Sequence, residues 1–326
     1  MKNLKGTFIL LLAAFIWGTA FVAQTSAGDN IGAFTFNACR NIIGALFLFI
    51  VIAILDMRKY SDRYDNPSEN NYNIYKKNYI INKKDYLTDA NKWPIKEGVI
   101  CGILLCIAMN LQQIGINTYP VSGRAGFLTA TYVVMIAIAS VFMGQKLHKL
   151  TIIAAFVCIV GMYLLCIAGG INEIYVADIL ELMCAVAFTI HMFTVDKCDK
   201  ADGVKLSCIQ FLTSGILSGI LMLIFDKADI NSIMKAIIPI LYAGVMSSGI
   251  AYTLQIIGQK YAKPSVTAIV LSLESVFAAL AGWILLGEHL STRELTGCIL
   301  VFTAVIIAQI PQFAHNVDDS KQQVIE

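Results

Sequence analysis

The sequence predicts an all-α integral membrane protein, with ten transmembrane helices arranged as two inverted five-helix repeats. Three observations predict this fold class. Of the 326 residues, 57% are apolar and only 14% are charged, where a soluble domain carries about 25% charged residues; the mean hydropathy is +0.70. Ten runs approach the roughly 20 apolar residues that a bilayer crossing requires. The second half also repeats the first: Leu111-Gln112-Gln113-Ile114-Gly115 lies over Leu254-Gln255-Ile256-Ile257-Gly258, 143 residues on. This composition excludes intrinsic disorder and a basic nucleic-acid binder, and a net charge of +2 calls for no acidic partner.

In chain order the predicted spans are 6–24, 32–55, 97–116, 121–143, 150–168, 176–195, 206–225, 236–257, 264–286 and 294–312. Span 1 follows Lys2 and Lys5 as a signal peptide would, but it is long and nine more spans follow, so it reads as an uncleaved helix. Span 2 carries one intramembrane cation, Arg40. Residues 56–96 form the one long polar insertion, rich in Asn, Asp, Tyr and Lys without sustained apolar periodicity. It reads as a flexible cytoplasmic loop, either a plain solvated linker or an element whose lysines touch anionic headgroups. Spans 4 and 9 each follow a proline, Pro120 and Pro264. Span 6 begins near Asp178 and Glu181; Asp178 and Glu173 read as loop residues, and Glu181 as reaching the interface. Residues 313–326 read as a cytoplasmic tail.

The basic residues fix an orientation. With both termini in the cytoplasm, 19 Lys and Arg fall inside and four fall outside (Arg124, Lys227, Lys235 and Arg293), with Arg40 within a span. The asymmetry follows the positive-inside rule and survives without the nine basic residues of the long insertion. The expected location is the cytoplasmic (inner or plasma) membrane. The nine cysteines are odd in number, eight of them lie in apolar runs, and no CxxC or Cys/His metal spacing occurs, so they read as small core hydrophobes.

At the offset of 143, Ala108 also matches Ala251, Ala125 matches Ala268, Leu128 matches Leu271 and Val133 matches Val276; Gly144 and Leu147 match Gly287 and Leu290. Spans 3–5 therefore repeat as spans 8–10. Five spans per copy is odd, so the second copy enters the membrane inverted. This organisation gives repeats 1–170 and 171–312, and inverted repeats are a transporter signature because two related halves can rock about a midplane site.

Helix 1 holds Phe15-Ile16-Trp17-Gly18-Thr19-Ala20-Phe21, helix 2 holds Phe36 and Arg40, and helix 9 holds Ser272-Leu273-Glu274-Ser275-Val276-Phe277-Ala278-Ala279-Leu280-Ala281-Gly282, running on to Leu286-Gly287-Glu288. With these segments the chain resembles the drug/metabolite transporter superfamily, EamA type, over nearly all its length except 56–96 and the tail after about 312. The resemblance implies a central cavity between the halves and transport, often outward, of small polar metabolites. The long loop between helices 2 and 3 departs from the pattern. Gln145 stands where the second repeat has Glu288, so any role of that loop carboxylate belongs to the second half alone.

Ten residues are the candidate substrate site: Trp17, Arg40, Asn110, Gln113, Thr131, Tyr132, His191, Tyr252, Gln255 and Glu274. A membrane-centred Arg is costly and faces the bundle interior. Arg40 is a bidentate clamp for a substrate carboxylate, a structural ion pair, or a side chain snorkelling towards the cytoplasmic face. Glu274 is a candidate proton or cation site, a partner for a substrate ammonium, or a structural hydrogen bond. Cys106, Asn110, Gln113 and Asn117 form a stripe at spacing 4, 3, 4, and Ser248, Tyr252, Gln255 and Gln259 form another. Lipid rejects such faces, so they line a cavity or join helices. Thr131 occupies the repeat position of Glu274, so a pseudo-symmetric pair would flank one site. Trp17 is an aromatic wall or core packing, and His191 a proton relay or a satisfied core residue.

No GxxxxGK[ST], GxSxG or HExxH occurs, and the four histidines are dispersed. The expectation is a non-enzymatic secondary active or facilitative transporter, working by alternating access as an exporter of small polar metabolites such as amino acids. It uses neither ATP nor any cofactor or metal, and binds no nucleic acid. Its partners are the bilayer, a substrate that a paired Arg and Glu would suit if zwitterionic, and protons if transport is coupled. The alternatives are a membrane receptor or scaffold using 56–96, or an importer of the same substrate class. An intramembrane hydrolase lacks a nucleophile–base pair: His191 and Glu181 lie on different faces of one helix.

Overall fold

The computed structural model describes residues 2–28, 30–64, 93–118, 122–145, 147–167, 174–227, 229–286 and 291–322. Most of the long insertion (65–92), Pro120 and the Gly287–Leu290 segment with Glu288 lie outside the described residues. Among the described residues, ten helices are long and apolar enough to cross a membrane. Among the described residues there is no strand.

The spans are α1 (Lys2–Gly28), α2 (Ala33–Tyr64), α3 (Ile95–Thr118), α4 (Ser122–Ala130 and Tyr132–Phe142), α5 (Lys149–Cys166), α6 (Val176–Asp196), α7 (Gly203–Phe225), α8 (Ile237–Gln259), α9 (Pro264–Leu271 and Leu273–Leu286) and α10 (Thr292–Gln322). Three boundaries depart from the sequence expectation. The helix of α2 continues nine residues past Leu55, through a stretch placed in the flexible loop, because the apolar run ends there but no Gly or Pro interrupts the chain until Pro67. The helix of α10 likewise runs on to Gln322, with Pro311 inside it. Asp178 is helical rather than a loop residue: its carboxylate accepts the backbone N–H of Tyr175 at 2.7 Å and caps the start of α6.

Packing has the exchange symmetry of an inverted repeat. Helix α5 packs along α10, and α2 along α7; each pair joins a helix to its own counterpart. The contact of α1 with α9 is answered by that of α6 with α4, and the contact of α3 with α6 by that of α8 with α1. At the α1–α9 crossing, a Cβ on Gly18 would sit 2.5 Å from Phe277 Cβ and 2.7 Å from the Glu274 carbonyl oxygen, so only glycine permits this approach. The cysteines are free, seven of them buried and two half-buried.

Both α4 and α9 are interrupted near the middle, at Thr131 and Ser272. The two residues have nearly the same backbone, φ −58° and ψ −14° at Thr131 and φ −60° and ψ −14° at Ser272. In each, the side-chain hydroxyl donates to the carbonyl three residues back, Leu128 and Ile269 respectively, at 2.6 Å. A hydroxyl that bonds the preceding turn competes with the helical ladder and tightens it locally. A further irregularity lies in α8, where Ala243–Ala251 is a π-helix.

Candidate functional site

A central cavity of about 50 Å³ lies among α1, α2, α3, α4, α6, α8 and α9. That volume accommodates several waters. Its polar wall is made by Gln24, Arg40, Gln112, Thr129, His191, Ser247, Gln255 and Glu274. Its aromatic and apolar wall is made by Trp17, Phe21, Tyr132, Phe188, Met192, Tyr252 and Leu271.

Arg40 is 3% exposed. Its guanidinium donates from Nε to Ser248 Oγ and from Nη2 to Ser247 Oγ, both at 3.3 Å, and lies 5.4 Å from the centre of the Phe36 ring. Two consecutive serines, both within the π-helical stretch of α8, thus meet different nitrogens of one guanidinium. No carboxylate pairs with Arg40 among the described residues. The remaining guanidinium N–H groups have no protein acceptor among the described residues, and the side chain lines the cavity.

Glu274 opens the second segment of α9, just past the Ser272 interruption, and is 8% exposed. Its carboxylate makes no hydrogen bond or ion pair among the described residues, yet it lines the cavity with Arg40. Trp17 stacks edge-on against Tyr252 at 4.6 Å, and Tyr252 meets Phe211 at 5.2 Å on its other side, which fixes the aromatic wall. The Trp17 Nε1 and Gln255 Oε1 atoms are buried without hydrogen-bond partners. His191 shares a hydrogen bond with Gln210 at 3.1 Å between Nε2 and Oε1, so one of its ring nitrogens has a protein partner.

Seven of the ten sequence-selected residues therefore share one cavity: Trp17, Arg40, Tyr132, His191, Tyr252, Gln255 and Glu274. The other three do not line it. Asn110 donates to Ser218 on α7 at 2.9 Å and accepts from Asn37 on α2 at 3.1 Å, so it joins three helices. Gln113 donates to the Gln24 carbonyl on α1 at 3.3 Å and to Asn117 at 2.9 Å. Thr131 spends its hydroxyl on the α4 interruption. The α3 stripe is thus a helix-joining face, while its α8 counterpart supplies Tyr252 and Gln255 to the cavity.

Sequence reasoning passed over Gln112, Thr129 and Ser247. The repeat held the signal for the first: Gln112 is the positional counterpart of Gln255, and both line the cavity. Stripe spacing selected its neighbour Gln113 instead. Thr129 is likewise the counterpart of Ser272. The signal for Ser247 was absent, since it lies outside the 4, 3, 4 spacing of the α8 stripe. Glu181 was also misplaced. It is 1% exposed, and its carboxylate accepts the Thr129 hydroxyl at 2.6 Å rather than reaching the interface.

Comparison with known proteins agrees with this architecture. The family model described as EamA-like transporter family matches residues 4–167 and again 176–309. A protein of Archaeoglobus fulgidus described as an uncharacterized transporter is 28% identical over 313 residues, covering 95% of this chain and 87% of its own. A solved crystal structure superposes with a TM-score of 0.72 at 16% identity, over 94% of this chain and 96% of its own, and so shares the fold. Ten apolar helices, inverted repeats and a family match across both halves make this a multi-pass membrane protein, and the chain belongs to the EamA-like transporter family.

Proposed function

We propose that the protein is a secondary transporter of small metabolites carrying both a carboxylate and an ammonium group, such as amino acids, working by alternating access as an exporter from the cytoplasm. The observation that carries this reading is the pairing of unmet charges. Arg40 and Glu274 are both buried, both line one cavity, and neither has an ion-pair partner among the described residues. A zwitterion between them supplies a carboxylate to the guanidinium and an ammonium to Glu274. Trp17 Nε1 and Gln255 Oε1 add one free donor and one free acceptor, and Trp17, Tyr132 and Tyr252 flank the ligand's carbon skeleton.

The interruptions of α4 and α9 give the halves matched points at which segments can tilt. The exporter direction rests on the family resemblance. The distribution of Lys and Arg supports a cytoplasmic membrane with both termini inside. The test is flux in liposomes. Vesicles holding the purified protein and a mixture of amino acids and small metabolites are followed by mass spectrometry, with and without a pH gradient. The expected outcome is selective release of zwitterions, with its gradient dependence abolished in Glu274→Gln. Release of anions or sugars in preference to zwitterions overturns the substrate assignment, and an unchanged pH response in Glu274→Gln removes that residue from coupling.

A further inference from the structure

Glu181 is a buried carboxyl that the zwitterion site does not use. It lies on α6, one layer behind the cavity wall. One oxygen, Oε2, accepts the Thr129 hydroxyl at 2.6 Å. The other, Oε1, is buried with no hydrogen-bond partner. It is held against α3, where a Cβ on Gly115 would sit 2.5 Å from it. Thr129 itself lines the cavity and accepts a hydrogen bond at 3.4 Å from Gln112 Nε2, another cavity residue. A continuous polar link thus runs from the cavity through the Thr129 hydroxyl to Glu181.

The elements packed on α6 offer this carboxylate no cation among the described residues. On α6 itself the titratable neighbours are Asp178 and Cys184. Helix α3 presents Gly115 and Gln112, the second segment of α4 carries Tyr132, and α8 and α9 carry Tyr252 and Glu274. The first turn of α4 carries Arg124, whose side chain is not among those described. A buried carboxylate with one hydroxyl donor and one bare oxygen is strongly disfavoured, so a proton or a small cation has to meet its charge. A metal cation needs several oxygen ligands, and Gly115 leaves no room for them on the Oε1 side. A proton needs none.

We propose that Glu181 is a second proton-binding site of this protein, reached from the substrate cavity through Thr129. The proposal rests on the transporter reading for its use, though not for its chemistry. Transfer balances without a co-reactant: a proton arriving on Thr129 Oγ1 from the cavity is matched by the hydroxyl proton passing to Glu181 Oε2. The threonine is regenerated, and only the charge of the carboxylate changes. Thr129 is the positioning residue, Gln112 holds Thr129, and the small Gly115 lets α3 and α6 close over the carboxyl. Two acids of the second repeat, Glu181 on α6 and Glu274 on α9, then hold protons.

The chemistry is tested without transport, by infrared difference spectra of the full-length protein in lipid across a pH series. In a Glu274→Gln background the carboxylic-acid band that remains and titrates is expected to vanish in Glu274→Gln/Glu181→Gln. Its frequency is expected to move in Glu274→Gln/Thr129→Val and to return in Glu274→Gln/Thr129→Ser. A band unaffected by Glu181→Gln, or a carboxylate ionised at every pH, overturns the proposal whether or not the protein transports. In liposomes, stimulation of flux by an imposed pH gradient is expected to fall by about tenfold in Glu181→Gln, the scale of a typical coupling free energy. The pH midpoint of that stimulation is expected to move in Thr129→Val and to be restored in Thr129→Ser. Stimulation in Glu181→Gln equal to the parent protein's also overturns the proposal. Absence of flux from the parent, with the Glu181 band present, overturns the transporter reading instead.

Discussion

At the scale of residues, the cavity holds a guanidinium and a carboxylate that have no ion-pair partner among the described residues. Buried polar atoms are ordinarily paired, as both ends of the Asn110 amide are with Asn37 and Ser218 a short distance away. Arg40 donates only to two neutral hydroxyls, and Glu274 accepts from nothing among the described residues. If the guanidinium binds a substrate carboxylate, Arg40→Gln removes hydrogen bonds to a charged group worth about 1.5–3 kcal/mol, so half-saturation should rise by roughly 10–100-fold. Arg40→Lys keeps the charge but loses the planar fork, and should lie between. The measurement is the concentration dependence of counterflow in liposomes. A half-saturation unchanged in Arg40→Gln places Arg40 in structure alone. Of the serines that hold the guanidinium, Ser248 was legible in the α8 polar stripe, whereas Ser247 falls outside its 4, 3, 4 spacing.

At the scale of elements, the irregular helices carry the site. Helices α4 and α9 break at related positions, and each break is fixed by one hydroxyl on the preceding turn. These features come from single polar atoms, whereas the ten spans follow from long apolar runs, which is why spans were legible and interruptions were not. The same reason explains α2: hydropathy locates where the membrane ends, and helix propensity carries the helix on to Tyr64. Close crossings sit beside the site. The α1–α9 crossing places Gly18 against the backbone of Glu274 and Ala278, the latter nitrogen 2.8 Å from where a Cβ would lie. Gly18→Ala should therefore push the helices apart, lowering stability by about 1–3 kcal/mol, the usual cost of overpacking. Because the displaced backbone is that of Glu274, flux and thermal stability in detergent should fall together. A fully stable Gly18→Ala protein with normal flux would show that the crossing relaxes freely.

At the scale of the whole molecule, the spans pack against one another in matched pairs. The exchange-symmetric contacts pair α5 with α10, α2 with α7, and α1 and α6 with the interrupted helices, and none of these contacts requires residues 65–92. The repeat that predicted this symmetry was legible because Leu111–Gly115 and Leu254–Gly258 are near-identical in pattern. The insertion has no counterpart in the second half and so carried no such information. Its two ends are tied to one helix: Lys205 on α7 pairs with Asp56 at 3.5 Å and lies 5.6 Å from the centre of the Trp93 ring. Asp56 and Trp93 thus share the α7 end of the bundle, and Tyr64 lies only about 12 Å further along α2 at 1.5 Å per residue. A flexible Gly/Ser linker of about ten residues, with a typical reach of about 16–19 Å, spans that gap. Replacing 65–92 with it should leave zwitterion flux within about twofold of the parent, since insertions in surface loops cost little closure entropy. Keeping Asp56, Trp93 and Lys205 in that variant isolates the insertion from its anchor. Intact flux means the insertion serves the membrane surface or a partner. Loss of flux in a protein that still elutes as a folded species means the insertion acts on the transport cycle itself.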